Sequence, residues 1–556
     1  MKRVLPACGF LFFIQLILEP ATVLAKKSQP GPECPHFLVV DGDDSDQDLD
    51  EVPTTPFGPK CRLDQDVVGL AKTFELPSGI KLDCKGHKIT PASSGQPGNS
   101  NTRSTPELAV FLNEAEAAEI KNCVIEGFDH GILAAGDEIV ESNSSSPNQI
   151  KNNVVTARFV AIHLVAADHI KIKDNQLFWQ TRGGIGIFIH HNSDGVDIVD
   201  NEITGDFPAS RQGAVLMPGP TLSSNPVFNM GHGAVLISET LGPHPQLFTA
   251  IINGELFQFK ASERESVEDS FTEDTLVENN AITFRVDNTS EDGIVASSTI
   301  GSVIRGNRIG KEDGSSRMRQ AIRAGGNSGF QRLLPGHCVD KDRYCLSDVD
   351  CNIPGFDEGV ADACPPLEQI SPVWIPQNLN YEDNTIYGPF VSAMATVGNI
   401  SIQGNSVQGK RPAGVTANFG TGITLAGKFS LEDAVIRRNE IRDVDTAVRF
   451  NNVFSDAPAF FGAKFSLNDL IGYTKAVTTS NDYALASELS VDAQGNVCSP
   501  HSSDCQGNHW GLSCPLGFDS TKAIKDNGSP ASVTDSHSFG EPVSGFPNEL
   551  LPQVCE

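Results

Sequence analysis

Broad aromatic side chains are scarce in this chain, with 3 Trp and 5 Tyr in 556 residues. That argues against a wide aromatic platform for stacking sugars. Positive charge is also short: 41 Lys and Arg stand against 70 Asp and Glu, for a formal net charge of −29. Nucleic-acid binding needs clustered Lys and Arg on phosphates, and docking on anionic lipid needs the same, so neither partner is expected. A polyanionic substrate would require a local basic patch or a bridging cation. No hydrophobic run reaches the ~20 residues that span a bilayer, so no membrane span is expected. The 5 Met form no Met-rich copper motif. Helical patterns of 10–15 residues are missing between the strand-like segments, which excludes an alternating α/β sheet. With 39% hydrophobic and 20% charged residues, the chain is too apolar for disorder, and it is long enough for several domains or one large repetitive one.

The first 25 residues read as a cleaved secretory signal. Lys2 and Arg3 precede the apolar stretch Phe10–Leu18, and Val23-Leu-Ala25 supplies small residues at a cleavage site. A secreted product, extracellular or periplasmic and monomeric, is therefore expected. Beyond Cys8 the cysteines fall into three groups of four: Cys34, Cys61, Cys84, Cys123; Cys338, Cys345, Cys351, Cys364; and Cys498, Cys505, Cys514, Cys555. Even groups in an exported chain predict local disulfides, each group with three possible connectivities.

The strongest signal is a repeat. The segments Ile120-Lys-Asn-Cys-Val-Ile125, Ile150-Lys-Asn-Asn-Val-Val155, Ile172-Lys-Asp-Asn-Gln-Leu177 and Ile198-Val-Asp-Asn-Glu-Ile203 align beneath one another. Further copies lie at Leu276–Ile282, Ile304–Ile309, Tyr381–Ile386, Ile402–Val407 and Ile436–Ile441. Asn153, Asn175 and Asn201 are spaced like one turn of a β-solenoid, and longer gaps imply inserted loops. Alternating strand residues fill an interior, and Asn suits a left-handed corner while its side chain hydrogen-bonds from coil to coil. A second motif, Gly131-Ile-Leu-Ala, Ala161-Ile-His-Leu, Gly233-Ala-Val-Leu, Gly422-Ile-Thr-Leu and Ala447-Val-Arg-Phe, reads as a further strand of each coil. One coil cannot bury its apolar face, but stacked coils share a core.

This pattern resembles the right-handed parallel β-helix, or pectin-lyase-like, superfamily. Leu82-Asp-Cys-Lys-Gly-His-Lys-Ile89 is similar to an opening coil of that family, and Asn122–Ile132 to a second coil. Gly507-Asn-His-Trp-Gly-Leu-Ser-Cys514 is similar to the closing motif of its carbohydrate-binding/sugar-hydrolase and periplasmic copper-binding-type members. The resemblance implies an all-β, single-stranded right-handed parallel β-helix over 66–515, with side insertions at about 205–275 and 312–375. Residues 26–65 form an acidic lead-in and 516–556 a polar tail. Fold does not fix function. The implied activity is binding of an extracellular polysaccharide, uronate-containing or neutral, with cleavage or epimerisation and with lyase-type β-elimination favoured. The alternative is a non-catalytic surface, adhesion or scaffold protein.

β-Elimination needs a base and a cation that neutralises the uronate carboxylate, and hydrolysis needs paired carboxylates. The candidates are His163 in one coil and His190 and His191 one coil later, with Arg182 in a flanking turn and Asp194 just after. Registering on Asn175 and Asn201 puts His163 opposite Ile189 and outward. His190 then points inward, unless one extra turn residue transfers that place to His191. Asn192-Ser-Asp-Gly-Val-Asp197 is similar to the Asn-Thr-Asp-Gly motif of polygalacturonase-type hydrolases, but the adjacent Asp pair that should follow is missing. Asp340, Asp342, Asp348 and Asp350 alternate within the second cysteine group and resemble the disulfide-linked calcium repeats of thrombospondin type. Calcium is the one cofactor this pattern offers. The competing reading is a solvated acidic loop held by disulfides.

Overall fold

In the computed structural model the described residues are 60–70, 74–91, 108–136, 147–180, 184–190, 193–205, 272–284, 292–297, 299–325, 336–345, 348–352, 361–366, 378–396, 400–409, 420–427 and 435–452, with isolated strand segments elsewhere between 38 and 530. The signal at 1–25, the motif at 507–514, Cys34 and the third cysteine group lie outside them.

Three long sheets run along a solenoid. The first has 12 strands, from Lys60–Arg62 to Lys464–Ser466, and the second and third have 14 each. One coil gives a strand to each: Ile170–Lys173 to the first, Gln176–Trp179 to the second and Ile185–His190 to the third. In the first sheet the middle residue of each strand faces in. Leu82, Ile120, Ile150, Ile172 and Ile198 pair rung on rung and are fully buried. This is the all-β parallel solenoid that the repeat implies. Among the described residues the one α-helix is the four-residue turn Asp348–Cys351, and no helix is long and apolar enough to cross a membrane.

The corner between the first and second sheets takes two residues. The left-handed position belongs to the first of them, Asn152, Asp174, Asp200 or Asn279, at φ 54–57°. The repeat Asn follows it and is not itself left-handed, which corrects the reading of its role. Its side chain turns into the wall instead. Asn153 Nδ2 donates to Asn175 Oδ1 at 3.0 Å, and Asn175 Nδ2 donates to Asn201 Oδ1 at 3.0 Å. The ladder continues through Asn280, Asn307, Asn384, Asn405 and Asn439 to Asn468. Asn468 follows Phe465-Ser-Leu, a degenerate copy absent from the aligned repeats.

The insertions do not interrupt the stack. Gly233–Ser238 lies between Ile185–His190 and Asp292–Ser297 in the third sheet, and Gln320–Gly325 follows as the next rung. The second insertion carries two interleaved disulfides, Cys338–Cys351 and Cys345–Cys364. Cys84–Cys123 ties two neighbouring coils, and Cys61 is also disulfide-bonded.

The third sheet differs from the other two, because most of its strands are five to seven residues long and part of its outer face is buried. Val110, Leu112, Ile132, Ala134, Ile162 and Leu164 join the interior, while Leu108, Phe111, Leu133, Ala135 and Val165 form a second apolar cluster. Small residues turn into the core where each strand begins. A Cβ on Gly131 would lie 2.6 Å from Ala161 O, and one on Gly293 would lie 2.4 Å from Ala321 O.

Candidate functional site: the outer face of the third sheet

The histidine coil occupies the first half of this face. His163 pairs with Phe188, Leu164 with Ile189 and Val165 with His190. The expected register of His163 against Ile189 is therefore off by one. Of the four extra residues between Asn175 and Asn201, three fall before the third-sheet strand and one after it. His163 does not line an open groove. It is 2% exposed, its ring stacks on Phe188 at 4.8 Å, and His130 stacks on its other side at 5.4 Å. Burial lowers the pKa of His130 to about 4, so its ring is neutral at ordinary pH. Asp129 and Arg158 pair at 2.7 Å beside it.

Of the other sequence candidates, Asp194 is the one whose side chain is described, and it does not join His163. Asp194 belongs to the corner between the third and first sheets. Its amide donates to Asp168 Oδ1 at 2.8 Å, and its Oδ1 accepts the Glu273 amide at 2.7 Å. That is a coil-to-coil clamp. His190 is placed by its backbone alone. Arg182 and His191 lie outside the described residues.

In the acidic insertion three of the four aspartates are described with their side chains. Asp342 meets His337 at 3.2 Å, Asp348 Oδ1 accepts the Cys364 amide at 2.8 Å, and the Asp340 amide donates to Asp362. Asp350 lies in the short helix, and its side chain is outside the described residues. Asp362, which sequence reasoning passed over, is the internal acceptor. Burial opposes its ionisation, but the Ala363, Asp340 and Lys341 amides outweigh that and hold its pKa low. Among the described residues, the one set of three ligand-type atoms close enough for a metal is Cys338, Cys345 and Cys351. All three are oxidised in disulfides, so they offer no thiolate.

Further along the same face the chemistry changes from apolar to charged. The position occupied by His130 and Val160 in early rungs becomes Asp292, Gln320, Ser392, Thr421 and Thr446. Asp292 is fully buried, and both its oxygens are used. Arg319 Nε donates to Oδ1 at 2.9 Å, a second Arg319 nitrogen donates to Oδ2, and Arg323 Nη1 lies 3.5 Å from Oδ2. The two guanidinium side chains are about a third exposed, at 37% and 32%. Burial lowers the Arg323 pKa against the pull of Asp292, yet a guanidinium remains charged across the biological range. Two guanidiniums thus meet on one buried carboxylate, with part of each exposed. Beside them Gln320 Oε1 is buried without a hydrogen-bond partner, and Ser392 Oγ meets Thr424 Oγ1 at 3.0 Å. A fork of guanidinium donors held by a buried carboxylate suits an incoming carboxylate or sulfate. Sequence reasoning missed this cluster. Its signal was the small residue that begins each third-sheet strand: aligning Gly293 and Ala321 with Gly131 and Ala161 places Asp292 and Gln320 in the His130 column.

Residues 92–244 match the family described as the right handed beta helix region. This chain is a right-handed parallel β-helix. No curated protein matches the β-helix in sequence. Among solved structures, it is similar to the A-modules of two Azotobacter vinelandii mannuronan C-5 epimerases. One match has 9% identity and a TM-score of 0.30 over 76% of this chain and 80% of the epimerase module. The other has 10% identity and a TM-score of 0.28 over 88% and 87%. A tailspike protein of bacteriophage CBA120 aligns with 12% identity and a TM-score of 0.21 over 88% of this chain and 57% of the tailspike.

Proposed function

We propose that this is a secreted carbohydrate-active β-helix protein that binds an extracellular polysaccharide along the outer face of its third sheet, at Asp292, Arg319 and Arg323. The observation that carries the reading is the pair of partly exposed guanidiniums locked on one buried carboxylate, next to a row of amide and hydroxyl side chains. Locked donors lose little freedom when a ligand arrives, and polar rows suit sugar hydroxyls. Arg319 and Arg323 supply the neutralising half of a β-elimination site, holding a uronate carboxylate while a base takes the neighbouring proton. The base for that step is not among the buried histidines, because His130 and His163 are packed in the sheet covering.

The test is a panel of uronate-rich and neutral polysaccharides incubated with the mature protein, with and without calcium. Binding, new reducing ends and the ultraviolet absorbance of unsaturated uronates are recorded together. Binding that falls at least tenfold in Arg323→Ala supports the site, and absorbance would add the lyase step. Dependence on calcium that Asp348→Asn abolishes would support a cation in the acidic insertion. Unchanged binding in both Arg319→Ala and Arg323→Ala would remove the site. A second reading, a binding scaffold without catalysis, is favoured by the burial of His163 and predicts binding with no new ends.

A further inference from the structure

On the first sheet, charge is segregated along the solenoid axis. Each of its strands presents two outward residues, one on each side of the buried central one. In the first five rungs these pairs are Lys60 and Arg62, Lys81 and Asp83, Glu119 and Lys121, Gln149 and Lys151, and Lys171 and Lys173. Seven cations thus face two carboxylates in a protein whose formal net charge is −29. From the sixth rung, Asp197 and Val199, the outward acids Asp197, Glu278 and Glu382 balance Arg305, Arg437 and Lys464, and the excess disappears.

The two acids lie beneath the cations. The Glu119 side chain is 9% exposed, whereas Lys151 is 32% and Lys81 39%. Glu119 holds Lys121 at 2.8 Å and Lys151 at 3.5 Å, and Asp83 lies 3.9 Å from Lys121. Burial opposes ionisation of Glu119, but the Lys121 and Lys151 ammonium groups outweigh it and keep its pKa below the usual value. The carboxylate therefore stays charged and holds the Lys121 and Lys151 heads over it. Lys171 and Lys173 extend the strip and lean on the next rung's Asp197 and the corner Asp200 at 4.0 and 3.5 Å.

We propose that this strip is a second polysaccharide-binding surface, independent of the Arg319–Arg323 site, and that its ligand is a linear polyanionic glycan carrying sulfate or carboxylate groups and lying along the solenoid axis. A chain in that direction meets a new pair of side chains every ~4.8 Å, over on the order of 19 Å from the first rung to the fifth. The strip is only two side chains wide, roughly 7 Å, which fits a single extended chain. None of its ten outward positions is aromatic, whereas faces that hold single-stranded nucleic acid stack bases on aromatic rings. Lysine ammonium groups, as hydrated point charges, suit anionic groups on a hydrated chain without demanding one fixed geometry. The surface would hold the protein on an acidic matrix while the other face handles its own ligand.

The experiment is salt elution of the full mature chain from immobilised dextran sulfate and polygalacturonate, with neutral dextran as the control. Retention that falls steeply with salt is expected on the anionic columns and none on dextran. Lys151→Gln, Lys171→Gln and Lys173→Gln combined should weaken dextran sulfate binding at least tenfold, with the melting temperature recorded to verify folding. In an Arg323→Ala background the same three lysine substitutions should still weaken dextran sulfate binding at least tenfold, which separates the failure of this strip from that of the other site. Glu119→Gln removes a negative charge from under the lysines and should tighten binding severalfold, a direction that structural damage does not produce. Full retention in the triple variant, or weaker retention in Glu119→Gln, would overturn the proposal. So would equal binding to single-stranded DNA or to phosphatidylserine vesicles, because the face would then serve a different class of partner.

Discussion

Asn201 and Asn280 are 79 residues apart in sequence and one rung apart in the solenoid, with Asn201 Nδ2 donating to Asn280 Oδ1 at 2.9 Å. The intervening insertion leaves and returns without a break in the ladder. Asn280 Oδ1 also accepts the Asn201 amide, and its Nδ2 reaches Ile198 O, both at 2.9 Å. Asn280→Ala strands a buried N–H and a buried C=O, so a loss of roughly 3 kcal/mol or more is expected from the urea midpoint. Asn279→Gly is the control. Asn279 is exposed with φ 56°, a conformation Gly adopts freely, and the change should stay within about 1 kcal/mol.

Cys123 stands where the ladder would have its first Asn. Its amide donates to Asn153 Oδ1 at 3.0 Å, and its sulfur bridges to Cys84, 39 residues away. Removing the bridge as Cys84→Ala/Cys123→Ala should cost about 3–4 kcal/mol through restored freedom of the unfolded chain. Cys84→Ala/Cys123→Asn should recover about 1 kcal/mol of that, because an Asn amide there extends the ladder onto Asn153. Equal midpoints for the two double variants would show that the row tolerates no further member.

Stability should fall in mild acid because of His130. Its pKa is about 4 in the folded protein against 6.5 unfolded, so between those values the unfolded chain binds a proton that the folded one does not. The contribution is complete above pH 6.5, declines as the pH falls toward 4 and is flat below. At most about 3 kcal/mol is at stake. His163 and Phe188 stack in line with the ring, and the Asp129–Arg158 pair is adjacent. His130→Leu should remove this component, seen as a shallower slope of unfolding free energy between pH 6.5 and 4.

Backbone proximity at the third-sheet corner restricts volume unevenly from rung to rung. A Cβ on Gly422 would lie 2.6 Å from Ala447 O and 2.6 Å from Ile441 Cγ2. Gly422→Ala should therefore destabilise by about 1–3 kcal/mol. The next rung carries Ala447 in the same column, fully buried. The melting temperature of Gly422→Ala checks this directly, and an unchanged value would mean that the corner can widen.

Most of the solenoid was legible because its period and its interior coincide. Ile120, Ile150 and Ile172 recur with a polar residue on each side and Ile198 with one, and a wall one residue deep satisfies that alternation. The left-handed corner was legible in kind but displaced by one residue, since Asn occupies both places at Asn152–Asn153 and Asn279–Asn280. Backbone conformation, and not composition, separates the residue that turns the chain from the one that joins coils.

The sites followed a different logic. The sequence by itself determined the coil count near each Asn, the inward residues of the first two sheets and the local grouping of cysteines in the second insertion. Only the tertiary structure decided that the histidine coil is covered on both faces, because a six-residue strand with apolar residues on both sides does not say which side meets water. It alone brought Arg319 and Arg323 onto Asp292, 27 and 31 residues away, since the loops between rungs differ in length and shift the register unpredictably. It also gathered the lysines of five coils into one strip within an acidic chain, for a parallel stack aligns equivalent positions at a fixed rung spacing whatever length of loop lies between them.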